Sequence, residues 1–150
     1  MEALTFTELD AVSEAFDDAV RATPDIDRFC AASDWILPAS AALVPPPIEG
    51  EDPRAPREPF IRRSPEGFAA FVRAENSEGL HILQPLEAMW GLACPIVGSD
   101  PHALVEALSV ELRRDARWDV LLVCGVPPGS ALSDALLKVL GSRYEARLGE

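Results

Sequence analysis

A chain of 150 residues is one domain's length. It is long enough to bury roughly 70% of its unfolded surface without disulfides or metal. Nearly half the residues are apolar (48%), which argues against intrinsic disorder. The 25 acids outnumber the 13 cations, for a net charge of −12, and this argues against nucleic acid and anionic membrane as partners, because both demand a basic surface.

In chain order, Met1-Glu2-Ala3-Leu4 opens without a basic or apolar targeting region. No run approaches the ~20 apolar residues of a membrane span, so a cytoplasmic protein is expected. Residues 5–22 have helical periodicity, with Leu9, Val12, Phe16, Ala19 and Val20 on one face. Thr5 and Glu8 fit a capping box, and Leu4 and Leu9 fit a hydrophobic staple. Asp17 and Asp18 fall on the opposite, solvated face. A second helix is expected from Ser33 to about Leu43, in which Pro38, past the first turn, removes a backbone bond. Residues 45–59 hold six prolines and four acids and read as an extended, solvated connection. The acidity is concentrated at this end: residues 1–60 carry 13 acids and four arginines, net −9, against net −3 for residues 61–150.

The period then changes to two. Residues 60–63, 67–75 and 80–84 read as three antiparallel strands. They are joined by turns at Ser64-Pro65-Glu66-Gly67 and Asn76-Ser77-Glu78-Gly79. Residues 93–97 suggest the end of a further strand, placed at an edge or bulge by Pro95. Asp100-Pro101 is an N-cap followed by proline at the first helical position, and Leu104, Val105, Leu108 and Leu112 form the apolar stripe behind it. Residues 118–124 are an almost unbroken apolar run, the pattern of a strand covered on both faces. A loop at 125–129 leads to a helix from Ser130 to Leu140, closed by Gly141. Residues 143–148 alternate like a final strand. The expected fold is therefore α+β: a mixed sheet with element order α-α-β-β-β-(β)-α-β-α-β, divided into a helical segment (1–44), an acidic loop (45–59) and a sheet with two helices (60–150).

This order resembles the acyl-CoA N-acyltransferase (GNAT) fold, and more closely the N-terminal half of the FemAB-like acetyltransferases, which join two such domains. The likeness spans roughly residues 25–148. It is carried by Phe29-Cys30-Ala31-Ala32-Ser33-Asp34-Trp35-Ile36-Leu37, by Gln84-Pro85-Leu86, by Trp118-Asp119-Val120-Leu121-Leu122-Val123, and by Val126-Pro127-Pro128-Gly129-Ser130-Ala131-Leu132. The resemblance implies acyl-donor chemistry placed largely in a second half. The acyl-CoA loop, Q/R-x-x-G-x-G/A, is absent. Around Gly98 its outer positions are Pro95 and Asp100, and around Gly125 they are Leu122 and Pro127. A pyrophosphate seeks bare amides at a helix N-terminus, where Asp100 sets a capping side chain and a like charge.

No cofactor is expected on this reading, and the chain is expected to act as a non-catalytic interaction module or as half of a two-part acyltransferase. The alternative is an active N-acyltransferase that uses acetyl-CoA or another acyl-CoA, with Glu75, Glu78 or Glu87 as base. Ser99-Asp100-Pro101-His102 lacks the geometry of a triad, and Cys94 with His81 has no cation nearby to activate the thiol. The cysteines Cys30, Cys94 and Cys124 form no CxxC pair and read as reduced, buried thiols. With only His81 and His102 for histidines, a zinc site lacks ligands. Trp35 and Trp118 read as core. The segment Glu87-Ala88-Met89-Trp90-Gly91 reads as a ligand groove or partner surface, or more simply as a tryptophan covering the core's end. Candidate binding residues are Glu87, Met89, Trp90 and Asp100. A protein partner or a second copy of the chain is the expected class of ligand.

Overall fold

The computed structural model describes residues 1–42, 57–115 and 117–147. These residues form a mixed α+β structure with six strands and six helices. In chain order they are β1 (Glu2–Leu4), α1 (Phe6–Ala11), α2 (Ser13–Ala22), α3 (Arg28–Ala31), α4 (Ser33–Ala42), β2 (Pro59–Ser64), β3 (Gly67–Glu75), β4 (His81–Pro85), β5 (Ile96–Gly98), α5 (Pro101–Arg114), β6 (Val120–Leu121) and α6 (Ala131–Val139). No helix among the described residues is long and apolar enough to cross a membrane.

The sheet runs β1-β2-β3-β4-β6, and β5 also pairs with β3. All pairs are antiparallel except β4 with β6. Strand β3 is the centre of the sheet, and its alternation builds two cores. Phe68, Ala70 and Val72 face a core shared with Leu9, Phe16, Val20 and Ile36. Ala69 and Phe71 face a second one shared with Leu104, Val105, Leu108 and Leu112. Helices α1–α4 thus cover one face and α5 and α6 the other, and β3 is apolar on both sides because both sides are buried.

Two strands share one edge of β3. Strand β4 lies opposite its C-terminal half, ending at Pro85↔Phe71, and β5 lies opposite its N-terminal half, starting at Ile96↔Ala69. Between them the Ala70 amide donates to the Pro95 carbonyl at 2.7 Å. The chain leaves the edge after Pro85, makes a loop, and returns to the same line. The β3–β5 pairing is unusually close at Gly67↔Gly98. A Cβ on Gly67 would lie 2.1 Å from the Val97 carbonyl oxygen, and one on Gly98 would lie 2.1 Å from that of Glu66. The buried Gly98 amide also donates to Thr23 Oγ1 at 2.7 Å, tying β5 to the end of α2.

Several expectations are met in detail. Thr5 and Glu8 form the capping box, Asp100 caps α5 behind Pro101, and Ser130 caps α6, which is followed by Gly141. The meander lies within a residue of its expected bounds. Others are corrected. The helix expected over 5–22 is two, broken at Val12 (φ −113°, ψ 20°), so that α1 packs on β1, β2 and α4 while α2 packs on β3 and β5. Glu2–Leu4 is a strand and Arg28–Ala31 a short helix capped by Asp27, neither expected. Asp17 is not merely solvated: it accepts from the Ser33 amide and hydroxyl, both at 2.8 Å, and anchors the start of α4.

The run 118–124 is not a strand covered on both faces. Only Val120 and Leu121 are extended strand, at the sheet's outer edge, where Val120 and Leu122 stay 40% exposed. Residues 143–147 are not a strand either. The Arg143 and Tyr144 amides both donate to the Leu140 carbonyl and continue the turn off α6. Leu43, Leu148 and most of the proline-rich connection lie outside the described residues.

Candidate functional site

The loop between β4 and β5 holds most of the candidate binding residues. Leu86 is buried in the first core and fixes the start of the loop. Glu87 follows it inward and is only 2% exposed. Its Oε1 accepts from the Trp90 amide at 2.8 Å, turning the chain back on itself. Its Oε2 is buried without a hydrogen-bond partner. That turn throws Met89 and Trp90 outward, and Trp90 is 55% exposed.

Trp90 does not stand alone. Its ring stacks on Trp35 of α4, with centroids 5.3 Å apart and planes 27° apart. Trp35 in turn meets Phe29 of α3 at 5.8 Å. Phe29 is 73% exposed, and Met89 and Leu92, in the loop that carries Trp90, are about half exposed. Three aromatic rings from three segments therefore make one continuous surface ladder, with an exposed thioether and an exposed leucine in the same loop as Trp90. An isolated exposed aromatic residue is ordinary, whereas a contiguous exposed patch marks a contact surface. Trp35 is only partly core: it packs against the first core on one side and carries the ladder on the other. Trp118 packs against the second core and donates its Nε1 to the Leu112 carbonyl at 3.0 Å.

Beside the exposed Arg28, the ladder has more acids than cations near it in sequence. Asp27 caps α3 just before Phe29, Asp34 is exposed beside Trp35, and Glu87 lies beneath the loop. The charge of Glu87 adds to the burial of two thiols. Burial, and then the Glu87 charge, push the Cys124 thiol up. Burial, the Asp27 hydrogen bond and charge, and Glu87 do the same to Cys30. Burial pushes Cys94 up to about 12, and its Sγ donates to the Ile96 carbonyl. None of the three is a poised nucleophile, since the thiolate is the reactive form.

The same loop packs against the segment that follows the parallel pair. A Cβ placed on Gly125 would lie 2.4 Å from the Leu92 carbonyl oxygen and 2.7 Å from the Cys94 amide nitrogen. One on Gly91 would lie 3.8 Å from Cys124 Sγ. Residues 91–94 are thus packed backbone to backbone against the segment that follows β6.

The remaining candidates are dispersed. Asp100 stands away from the ladder, its Oδ1 accepting from the Ala103 amide at 3.0 Å. His102 lies 3.6 Å from Glu106. His81 is exposed at the start of β4, 3.9 Å from Glu75, and Cys94 is engaged elsewhere. Glu78 is exposed in the β3–β4 turn. Among the described residues no group of three His, Cys, Asp or Glu side chains is arranged to hold a metal. Phe29 and Leu92 were missed as site residues by sequence reasoning. Helical spacing places Phe29 beside Cys30 and Ala31, and nothing local says that its ring turns outward to meet Trp35. No family model matches the chain, and no curated protein or solved structure matches it.

Proposed function

We propose that the chain is a GNAT-like domain that works as a non-catalytic interaction module, docking a basic, apolar segment of a partner protein on the Phe29–Trp35–Trp90 ladder. The observation that carries this reading is the ladder itself: an exposed stacked aromatic surface held by three separate segments. Aromatic anchors dominate protein interfaces, and the acidic surround selects a cationic partner through cation–π and charge attraction. A second copy of the chain is the poorer occupant, because each copy carries a net charge of −12.

The sheet order supports the GNAT-like part of the proposal. An antiparallel β1-β2-β3-β4 set, one parallel neighbour β6, and a helix crossing between β4 and β6 fit that fold. Two features support a module without acyl-CoA chemistry. The α5 amides of Ala103 and Leu104 are already bonded to Asp100, and residues 91–94 pack backbone to backbone against the segment that follows β6. Glu87, buried with one unpartnered oxygen, is the group that favours the alternative of an active N-acyltransferase, as the base that takes a proton from an amine.

The test is tryptophan fluorescence with two synthetic amphipathic peptides, one alternating Leu with Lys and Arg, the other alternating Leu with Glu. The basic peptide shifts the emission saturably and the acidic one does not, and Trp90→Ala removes the response. Equal responses to both peptides, or an unchanged response in Trp90→Ala, overturn the docking surface. Calorimetric titration with acetyl-CoA gives no heat of binding. Micromolar affinity establishes the enzymatic alternative instead.

A further inference from the structure

We propose that the groove between α5 and α6 binds a phosphate group carried by a small molecule. The groove measures about 470 Å³ and is lined by His102, Ser109 and Arg113 of α5 and by Lys138, Ser142 and Arg143 of α6 and the turn after it. Lys138 is the only lysine in the chain. In a molecule with 25 acids, Arg113, Lys138 and Arg143 form no ion pair among the described residues. The one acid lining the groove, Glu106, lies 3.6 Å from His102.

Cations in the last turn of a helix ordinarily answer its dipole, and Arg113 and Lys138 each do so. That role explains neither their convergence from two helices nor Arg143, which stands beyond the end of α6. Arg113 is also held in place. Its Nη1 donates to Ser109 Oγ at 3.1 Å, and the Ser109 hydroxyl donates to the Glu106 carbonyl at 2.7 Å. The rest of the guanidinium fork is left to face the groove. Two guanidinium groups and an ammonium match a dianionic tetrahedral oxyanion better than a single carboxylate, because the fork binds phosphate oxygens in pairs. The net charge of −12 repels anions at long range, so binding is local and weakens as salt rises.

This site is on the opposite sheet face from the aromatic ladder, so the two proposals fail separately. The experiment is calorimetry of the full chain with inorganic phosphate and with pyrophosphate at ~20 mM ionic strength. The comparison is a variant carrying Arg113→Gln, Lys138→Gln and Arg143→Gln. Wild type binds saturably, and the variant binds at least about tenfold more weakly, a difference of about 1.4 kcal/mol. Circular dichroism of the variant checks that it folds. If it does not, Lys138→Gln alone, at an exposed position, takes its place with an expected severalfold loss. Absence of saturable binding to wild type, or equal binding by a folded variant, overturns the proposal. Co-sedimentation with vesicles containing phosphatidic acid, lost in the variant, identifies a lipid headgroup as the source of the phosphate and overturns the small-molecule part.

Discussion

Gly98→Ala tests whether the split edge of β3 is what holds the molecule together. The added Cβ lies 2.1 Å from the Glu66 carbonyl oxygen and 3.0 Å from its carbon. The closest ordinary C···O approach is about 3.3 Å, so β5 must move away from β3 by about 1 Å. Both sides of the clash are backbone, and no rotamer change relieves it. Opening the three registered pairs of β3 with β5 breaks ladder hydrogen bonds worth about 1 kcal/mol each. It also unseats Val97 and Phe68 from the first core and strains the bond from Gly98 to Thr23. The expected loss is about 3–5 kcal/mol, at the upper end for single substitutions, out of a total of about 5–15 kcal/mol. Gly129→Ala is the control: its φ is +76° but nothing lies within 4 Å of the added Cβ, so it costs the left-handed penalty alone, about 1–2 kcal/mol. With a urea m-value of about 2 kcal/mol/M, Gly98→Ala lowers the unfolding midpoint by about 2 M and Gly129→Ala by less than about 1 M. Equal shifts, or a milder effect at Gly98, refute the close β3–β5 contact.

Three further outcomes follow from the same structure. Trp90→Ala costs only the stacking on Trp35, about 0.5–1.5 kcal/mol by urea unfolding; a loss above about 3 kcal/mol would show that Trp90 is core. Burial pushes the Asp115 carboxyl up, but hydrogen bonds from Arg117 and the charges of Arg73 and Arg117 outweigh it and hold it below the usual range. Its contribution is therefore present above the unfolded value of about 3.9 and is lost as pH falls through the lower folded value. Urea midpoints between pH 5 and 2, on the order of that window, fall more gently in Asp115→Asn than in wild type; parallel curves would remove Asp115 from the acid limb. Iodoacetamide on the folded protein near pH 8 spares Cys94, whose thiol burial pushes up to about 12, and modifies the half-buried Cys124 first; equally fast labelling of Cys94, read by mass spectrometry, contradicts its burial.

Features governed by neighbours in sequence were legible, and those governed by neighbours in space were not. Thr5 with Glu8, Asp100 with Pro101, and the turns at 64–67 and 76–79 depend on residues within one turn of each other, and each forms where the residue types require. The stripe Leu104, Val105, Leu108 and Leu112 is buried as its spacing demands. The run 118–124 misled because strong apolarity indicates burial but not which element provides it. Leu121 and Val123 reach the second core, while Val120 and Leu122 border the open sheet edge. Residues 143–147 alternate, but among the described residues no strand pairs with them. Of the candidate site, Met89 and Trp90 were legible as unusual residues in a loop. Their stacking on Trp35 depends on where α4 packs, which no local pattern encodes.

The loop between β4 and β5 joins these observations. A strand that pairs continuously with β3 from Glu75 to Gly67 needs no excursion, yet the chain inserts one between Pro85 and Ile96. Pro85 can donate no amide at that point and Pro95 none at the return, so the interruption is written into the covalent chemistry at both ends. Glu87 then folds the loop back by accepting from the Trp90 amide. One consequence is that residues 91–94 lie against Cys124 and Gly125, just after the parallel strand β6. Another is that Trp90 is delivered to Trp35 at the surface. Packing the loop against the segment after β6 and building the ladder are therefore a single structural event. Shortening the loop to a continuous strand should release Gly125 from its backbone contacts with residues 92–94 and abolish the ladder together; a peptide response that survives the shortening would show that the ladder is not the docking surface.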